Sequence, residues 1–188
     1  MVLYDVCIYI TLGVLFYTPV ACTEWRKFLV RLNGNKDYNL DPHIGVPDPN
    51  QLMEPLRVRN MTTTEASRIM NDPEWRRIIF LRDPATRLLS AYLDKFVNHP
   101  AKKVTIYGGM NRNMTFEEMV GYLAKHSSPG ELRQQNEHWR PQVDVCVLNK
   151  FMPLYDFVGS YESLSNHSRL VLQELGLWEE YGANGWGW

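Results

Sequence analysis

Arg77-Ile-Ile-Phe-Leu-Arg-Asp-Pro-Ala-Thr-Arg-Leu-Leu-Ser-Ala-Tyr92 joins a short apolar run to a sharp turn and then to a helix that starts at once. Ile78 to Leu81 reads as a buried strand. Asp83 suits the cap of the following helix, and Pro84 suits its first turn, where a missing N–H costs nothing. Leu88, Leu89, Tyr92, Leu93 and Phe96 recur at helical spacing and predict one apolar face on a helix over 84–97. Arg82 follows the strand, with Arg87 and Ser90 one and two turns into the helix. A cation, unpaired helix N–H groups and a hydroxyl at that place form an anion site, and phosphate is its usual occupant. The same pattern alone also fits an Arg that makes a surface ion pair.

A chain of 188 residues can bury one real core, so a single domain over 1–188 is expected. Hydrophobic content of 45% and charged content of 22% are those of a globular protein. The net charge of −1 argues against nucleic acid as a partner, and any basic site must be local. Six Trp and ten Tyr suit a sugar-handling cleft or an aromatic core equally well. Cys7, Cys22 and Cys146 do not define a disulfide framework. Asn60-Met-Thr62, Asn113-Met-Thr115 and Asn166-His-Ser168 are glycosylation triplets and lean toward a secretory lumen. Residues 6–23 carry no formal charge and leave a buried strand and a membrane anchor open. Val, Ile, Tyr and Phe favour the strand, and the lack of a preceding positive residue makes a poor signal peptide.

Along the chain, Leu12 to Tyr17 predicts strand one, and Glu24 to Leu32 a helix with Trp25, Phe28, Leu29 and Leu32 on one face. Residues 35–60, rich in Pro, Asn and Asp, read as an irregular excursion. Thr62-Thr-Thr-Glu65 and Thr115-Phe-Glu-Glu118 read as capping boxes. Residues 99–113 and 127–135 read as loops, 143–147 and 157–159 as short strands, and 166–175 as a helix stopped by Gly176. The Gly-rich tail 182–188 predicts no stable element. Strands alternating with helices argue for an α/β layer fold.

Three segments stand together in order: Pro19-Val-Ala-Cys-Thr-Glu-Trp-Arg-Lys27, the Arg82-to-Tyr92 block, and His138-Trp-Arg-Pro-Gln142 followed by Tyr155-Asp-Phe-Val-Gly159 and Tyr161-Glu-Ser-Leu164. So arranged, they resemble the Golgi carbohydrate sulfotransferases, the branch with the chondroitin and dermatan enzymes, from about Leu15 onward. The resemblance implies a three-layer sulfotransferase fold related to P-loop nucleotide kinases, with a central parallel sheet. It implies 3′-phosphoadenosine 5′-phosphosulfate as donor, no metal, and a glycan acceptor, an anionic polysaccharide being one candidate. It also implies the lumenal face of the Golgi membrane, with an N-terminal anchor as one means of attachment.

In such a family the loop matching Thr18 to Arg26 cradles the 5′-phosphosulfate, which assigns Val20, Ala21, Cys22, Thr23, Trp25 and Arg26 to the donor. Residues matching Arg82 and Ser90 hold the 3′-phosphate. Sulfuryl transfer, like phosphoryl transfer, is an in-line displacement with a loose transition state, so the protein positions partners and neutralises the leaving phosphate. Main-chain N–H groups of Thr23 to Trp25 suit that work. His138 is the candidate base, with Glu24 its rival. A turn-forming His138 and simple charge matching by Glu24 at a helix start are the plainer readings. Trp25 and Cys22 suit a core equally, Arg87 suits a structural ion pair, and Trp139 and Arg140 suit the lining of an acceptor cleft.

The sequence departs from the family pattern at three places. Pro19 stands where relatives carry the lysine that meets the sulfate bridge, leaving Arg26 as the compensating cation. Asn149 stands where relatives carry a second Cys after Cys146. Relatives also continue beyond the Gly-Trp-Gly segment, so a C-terminal truncation is expected. The alternative to an enzyme is a catalytically silent donor- or glycan-binding module of the same fold. A P-loop kinase is disfavoured, since no Gly-x-x-x-x-Gly-Lys-Ser/Thr string occurs.

Overall fold

The computed structural model describes residues 8–11, 14–17, 24–25, 28, 31–32, 63–98, 110, 113–146 and 148–183. Two compact units divide the chain, Met1–Leu81 with Phe151–Trp188, and Arg82–Lys150. Among the described residues the strands are β1 (Ile8–Thr11), β2 (Val14–Tyr17), β3 (Arg76–Leu81) and β4 (Phe157–Ser160). The helices are α1 (Thr63–Asn71), α2 (Pro84–Tyr92), α3 (Phe116–Lys125), α4 (Pro129–Gln134), α5 (Gln142–Val145), α6 (Leu148–Phe151) and α7 (Leu164–Glu174).

The first unit carries one sheet in the order β1-β2-β3-β4. Parallel pairing sets Val14 to Tyr17 against Arg76 to Ile79, and Ile78 to Leu81 against Phe157 to Ser160. The expected strand one, Leu12 to Tyr17, is corrected: two strands occupy the apolar run, paired antiparallel from Ile8 with Tyr17 to Thr11 with Val14. An unbroken apolar run has no alternation to mark a reversal, so one strand and a hairpin look alike in sequence. The parallel sheet therefore has an antiparallel edge strand, a common addition to such sheets.

Residues 24, 25, 28, 31 and 32 are helical, as expected. Trp25 and Phe28 join Ile78, Phe80, Leu164, Val171 and Leu172 in one buried cluster. The Trp25 and Phe80 rings meet at 5.1 Å between centroids. Gly159 pairs with Phe80 across the sheet, and a Cβ there would lie 2.4 Å from Phe80 Cε1. The Phe80 ring thus lies over β4, and only glycine leaves it room. α7 ends as Gly176 predicts: φ is +69° there. Gly176 N–H donates to Gln173 O at 3.0 Å and Leu177 N–H to Leu172 O at 2.8 Å, the paired bonds of a left-handed helix stop.

β3 and β4 are also pinned at their starts. Arg77 donates from Nε to Asp156 Oδ2 at 2.9 Å and from a terminal nitrogen to Oδ1 at 3.0 Å. Its main-chain N–H reaches the same carboxylate at 2.8 Å. The side-chain hydrogen bond from Arg77 holds the Asp156 carboxyl below its ordinary range.

In the second unit, Asp83 caps α2 by accepting from Thr86 N–H at 2.9 Å. The expected apolar face holds for Leu88, Tyr92 and Phe96, which lie in or against the core, and not for Leu89 and Leu93. Arg87 and Ala91 are the buried residues of α2, while Leu89 and Leu93 are each 43% exposed. A π turn, Leu93–Val97, follows α2 and adds one residue to the spacing, so Phe96 returns to the buried side. Ala91, Phe96, Met110, Met119 and Trp139 form this unit's core. The Thr115 capping box is present in full, with Thr115 N–H donating to Glu118 Oε2 at 2.7 Å and Glu118 N–H to Thr115 Oγ1 at 3.2 Å.

Two further expectations are overturned here. The loop expected at 127–135 contains α4, whose Ser128 and Glu131 form a second capping box with Pro129 at the start. Of the strand expected at 143–147, Val143 to Val145 lie in α5: Pro141 begins a helical turn, and β-branched Val143 and Val145 do not outweigh it. Residues 18–23, 35–60, 99–109 and 184–188 lie outside the described residues.

Two outcomes test this account of the first unit. Gly159→Ala lowers stability by about 1–3 kcal/mol through the clash with Phe80, and Phe80→Leu in the same chain recovers part of the loss in thermal denaturation. The Asp156 carboxyl has a depressed folded pKa, so its stabilisation is present above the unfolded value, near 4, and is lost as pH falls through the folded one. Asp156→Asn therefore flattens the acid limb of a melting-temperature-against-pH curve.

Candidate functional site

Arg82 begins the second unit one residue after β3, where a strand's carboxyl end commonly meets a ligand. Its main-chain N–H donates to Gln142 Oε1 at 3.0 Å, and its Nε to Thr86 Oγ1 at 3.3 Å. The guanidinium is half-buried at the start of α2, as is Ser90 two turns along. A helix start, a guanidinium and a hydroxyl thus share one helix and its entry, the ingredients of an anion site.

Arg87 makes long-range bonds to main chain. It is buried, and its two terminal nitrogens donate to main-chain carbonyls, to Arg140 O at 2.8 Å and to Glu137 O. Asn136 holds the residue between them: His138 N–H donates to Asn136 Oδ1 at 3.0 Å, and His138 Nδ1 lies 2.6 Å from the same oxygen. The Arg82-to-Tyr92 block and the His138-to-Gln142 string are therefore bonded together through Arg82–Gln142 and Arg87–Arg140.

These bonds fix the state of the His138 ring. A main-chain N–H can only donate, so the Asn136 atom that receives it is the oxygen. An oxygen acceptor 2.6 Å from Nδ1 requires the proton on Nδ1. Neutral His138 then carries its lone pair on Nε2, the nitrogen able to take a proton from a hydroxyl. Trp139 is buried against Phe96 at 6.2 Å between ring centroids. Arg140 is only 4% exposed.

In the first unit, Glu24 is half-buried and Trp25 is 0% exposed. Trp25 is thereby a residue of the core behind the segment, the plainer of its two readings. Val20, Ala21, Cys22, Thr23 and Arg26, with Pro19, lie outside the described residues. Cys146 is a buried thiol. Among the described residues, no group of three or more His, Cys, Asp or Glu could hold a metal ion.

A sequence profile described as the Sulfotransferase family matches residues 18–186. The chain belongs to the sulfotransferase family. Among curated relatives, carbohydrate sulfotransferase 11 of Mus musculus is 28% identical over 181 residues, covering 86% of this chain and 49% of the relative. Carbohydrate sulfotransferase 14 of Mus musculus is 30% identical over 176 residues, covering 84% of this chain and 42% of the relative. Carbohydrate sulfotransferase 10 of Homo sapiens is 27% identical over 179 residues, covering 85% and 49%. The chain spans about half the length of these relatives. No solved structure matches it.

Asn136 is the residue of this candidate site that sequence reasoning missed, and the bonding roles of Arg87 and Gln142 were not foreseen. Only the structure reveals these bonds: those of Arg87 and Gln142 span fifty residues or more, and that of Asn136 depends on the shape of its own turn. Nitrogen-15 NMR of imidazole-labelled protein checks the His138 assignment: one species with Nδ1 protonated is expected. Asn136→Ala should let the protonated Nε2 form appear, and finding that form dominant in the unaltered chain would overturn the assignment.

Proposed function

We propose that this chain is the core of a carbohydrate sulfotransferase that moves a sulfuryl group from 3′-phosphoadenosine 5′-phosphosulfate to a glycan hydroxyl. The observation that carries the reading is the Arg82 turn bonded to the His138 string in a chain of this family. Arg82 and Ser90 bind the donor's 3′-phosphate. The segment from Val20 through Thr23, the Trp25 main chain and Arg26 receive the 5′-phosphosulfate. His138 Nε2 takes the acceptor's proton as the acceptor oxygen bonds to sulfur and the bond from sulfur to the phosphate oxygen breaks. Glu24 is the rival for that proton. The adenosine bisphosphate leaves, and the charge it gains is what cations and N–H groups are needed to stabilise.

The Golgi lumen is the place we assign it, because the relatives are carbohydrate sulfotransferases and the chain bears glycosylation triplets. Among the described residues no helix is long and apolar enough to cross a membrane. A second reading, a silent donor- or glycan-binding module, is favoured by Pro19, which supplies neither a cation nor an N–H to the phosphosulfate loop.

Calorimetric titration with adenosine 3′,5′-bisphosphate tests the assignment. Arg82→Glu should weaken binding at least tenfold, since hydrogen bonds to charged groups contribute about 1.5–3 kcal/mol, and Ser90→Ala should weaken it less. Unchanged affinity in Arg82→Glu sinks the donor site. A labelled sulfate transfer assay separates the two readings: binding without transfer, with transfer gained in Pro19→Lys, identifies the silent module.

A further inference from the structure

Two kinds of tie hold the Arg82 turn, and they differ in reach. Asp83 is held by α2 itself: its carbonyl accepts from Arg87 N–H at 3.0 Å and from Thr86 Oγ1 at 3.1 Å. Arg82 is held from 60 residues along the chain, where Gln142 Oε1 accepts its N–H at 3.0 Å. A main-chain N–H can only donate, so the Gln142 atom that meets it is the oxygen. The main chain behind that carboxamide is fixed in turn. Gln142 opens α5, its carbonyl accepts from Cys146 N–H at 2.8 Å, and Val145 and Cys146 are buried.

This tie bears on where the Arg82 side chain goes. Arg82 and Asp83 lie between β3 and α2, outside both ladders. Gln142 sets the Arg82 main chain, and Thr86 sets the side chain: Arg82 Nε donates to Thr86 Oγ1 at 3.3 Å, and that hydroxyl donates on to Asp83 O. A guanidinium is planar and rigid, so fixing Nε fixes the direction of its two terminal nitrogens. Those nitrogens form the fork that meets a phosphate with two parallel hydrogen bonds. A misdirected fork keeps its charge and loses that paired geometry. Direction, not charge, is therefore what Gln142 contributes.

We propose that Gln142 is a positioning residue: its carboxamide aims the Arg82 fork at the 3′-phosphate, so discrimination of the phosphate's place on the ribose depends on the string that also carries His138. The proposal rests on the donor reading of Arg82. Calorimetric titration compares adenosine 3′,5′-bisphosphate with adenosine 2′,5′-bisphosphate, two ligands of equal charge. The unaltered chain should prefer the first. Gln142→Leu removes the acceptor and should shrink that preference about three- to tenfold, the effect of one neutral hydrogen bond. Gln142→Glu keeps an acceptor oxygen and adds a charge that repels both ligands, so both affinities should fall while the preference stays within about twofold of the original. A general loosening of the fold would lower both affinities together and leave their ratio alone; circular dichroism and the melting temperature check for it. Hydrogen exchange needs no variant: the Arg82 N–H should be protected in the unaltered chain. A folded Gln142→Leu with the preference intact, a Gln142→Glu that loses it as fully as Gln142→Leu, or a rapidly exchanging Arg82 N–H would each overturn the proposal. No preference in the unaltered chain removes the donor assignment along with it, whereas a preference abolished in Arg82→Glu and intact in Gln142→Leu overturns the role of Gln142 alone.

Discussion

The buried guanidinium of Arg87 is the constraint on which the second unit is organised. A charge out of water is costly unless every proton it carries finds a partner. Two of the Arg87 donors meet main-chain carbonyls of Glu137 and Arg140, two points on one short turn. Carbonyls do not titrate and do not leave, so this tie is insensitive to pH in a way an ion pair is not. It also fixes the turn's main chain and not merely a side chain. His138 lies between those carbonyls, so the position of its ring follows from the Arg87 clamp, and its tautomer from Asn136.

In the first unit the constraint is steric. Phe80, Trp25 and Phe28 fill the space over the sheet, and Gly159 is the concession that lets Phe80 lie flat against β4. The Arg77–Asp156 bonds hold the strand starts in register, so Leu81 and Ser160 arrive paired. Arg82 follows Leu81 directly. A slip of one residue between β3 and β4 would turn each side chain to the opposite face.

The residues explain what could be read without the structure. Asp83-Pro84, Thr115-Phe-Glu-Glu118 and Gly176 each carry a local backbone requirement, and each behaves as its chemistry dictates. Ser128-Pro-Gly-Glu131 carried the same kind of signal, but Pro-Gly suggested a turn and hid the helix start. Val143 and Val145 misled because strand propensity is a weak preference beside the four-residue turn that Pro141 begins. The α2 face is legible in part, in Leu88, Tyr92 and Phe96, because spacing assumes that apolar residues are the buried ones. Here an arginine is buried and two leucines are exposed, and only long-range carbonyls explain the exchange. The candidate site divides likewise: Arg82, Ser90 and His138 belong to recognisable strings, whereas the Arg87 bonds that tie the two strings together span about fifty residues and follow no periodicity.

A neutral imidazole of fixed tautomer is a fitting base for a loose transition state, and this bears on Pro19. In such a state the new bond is barely formed, so the hydroxyl is still a poor acid and gains little from a strong base. Orientation of Nε2 matters more than basicity, and Asn136 supplies orientation. In the proposed reaction the heavier demand is charge on the departing phosphate, and the proposal assigns it to the segment that carries Pro19, Arg26 and Lys27. Loss of a cation there removes an interaction that strengthens chiefly as charge develops. Its deficit would therefore fall on kcat with the donor's affinity largely intact. A loss confined to donor affinity would instead mean that the segment grips the ground state, and that proline at this place is a binding change and not a catalytic one.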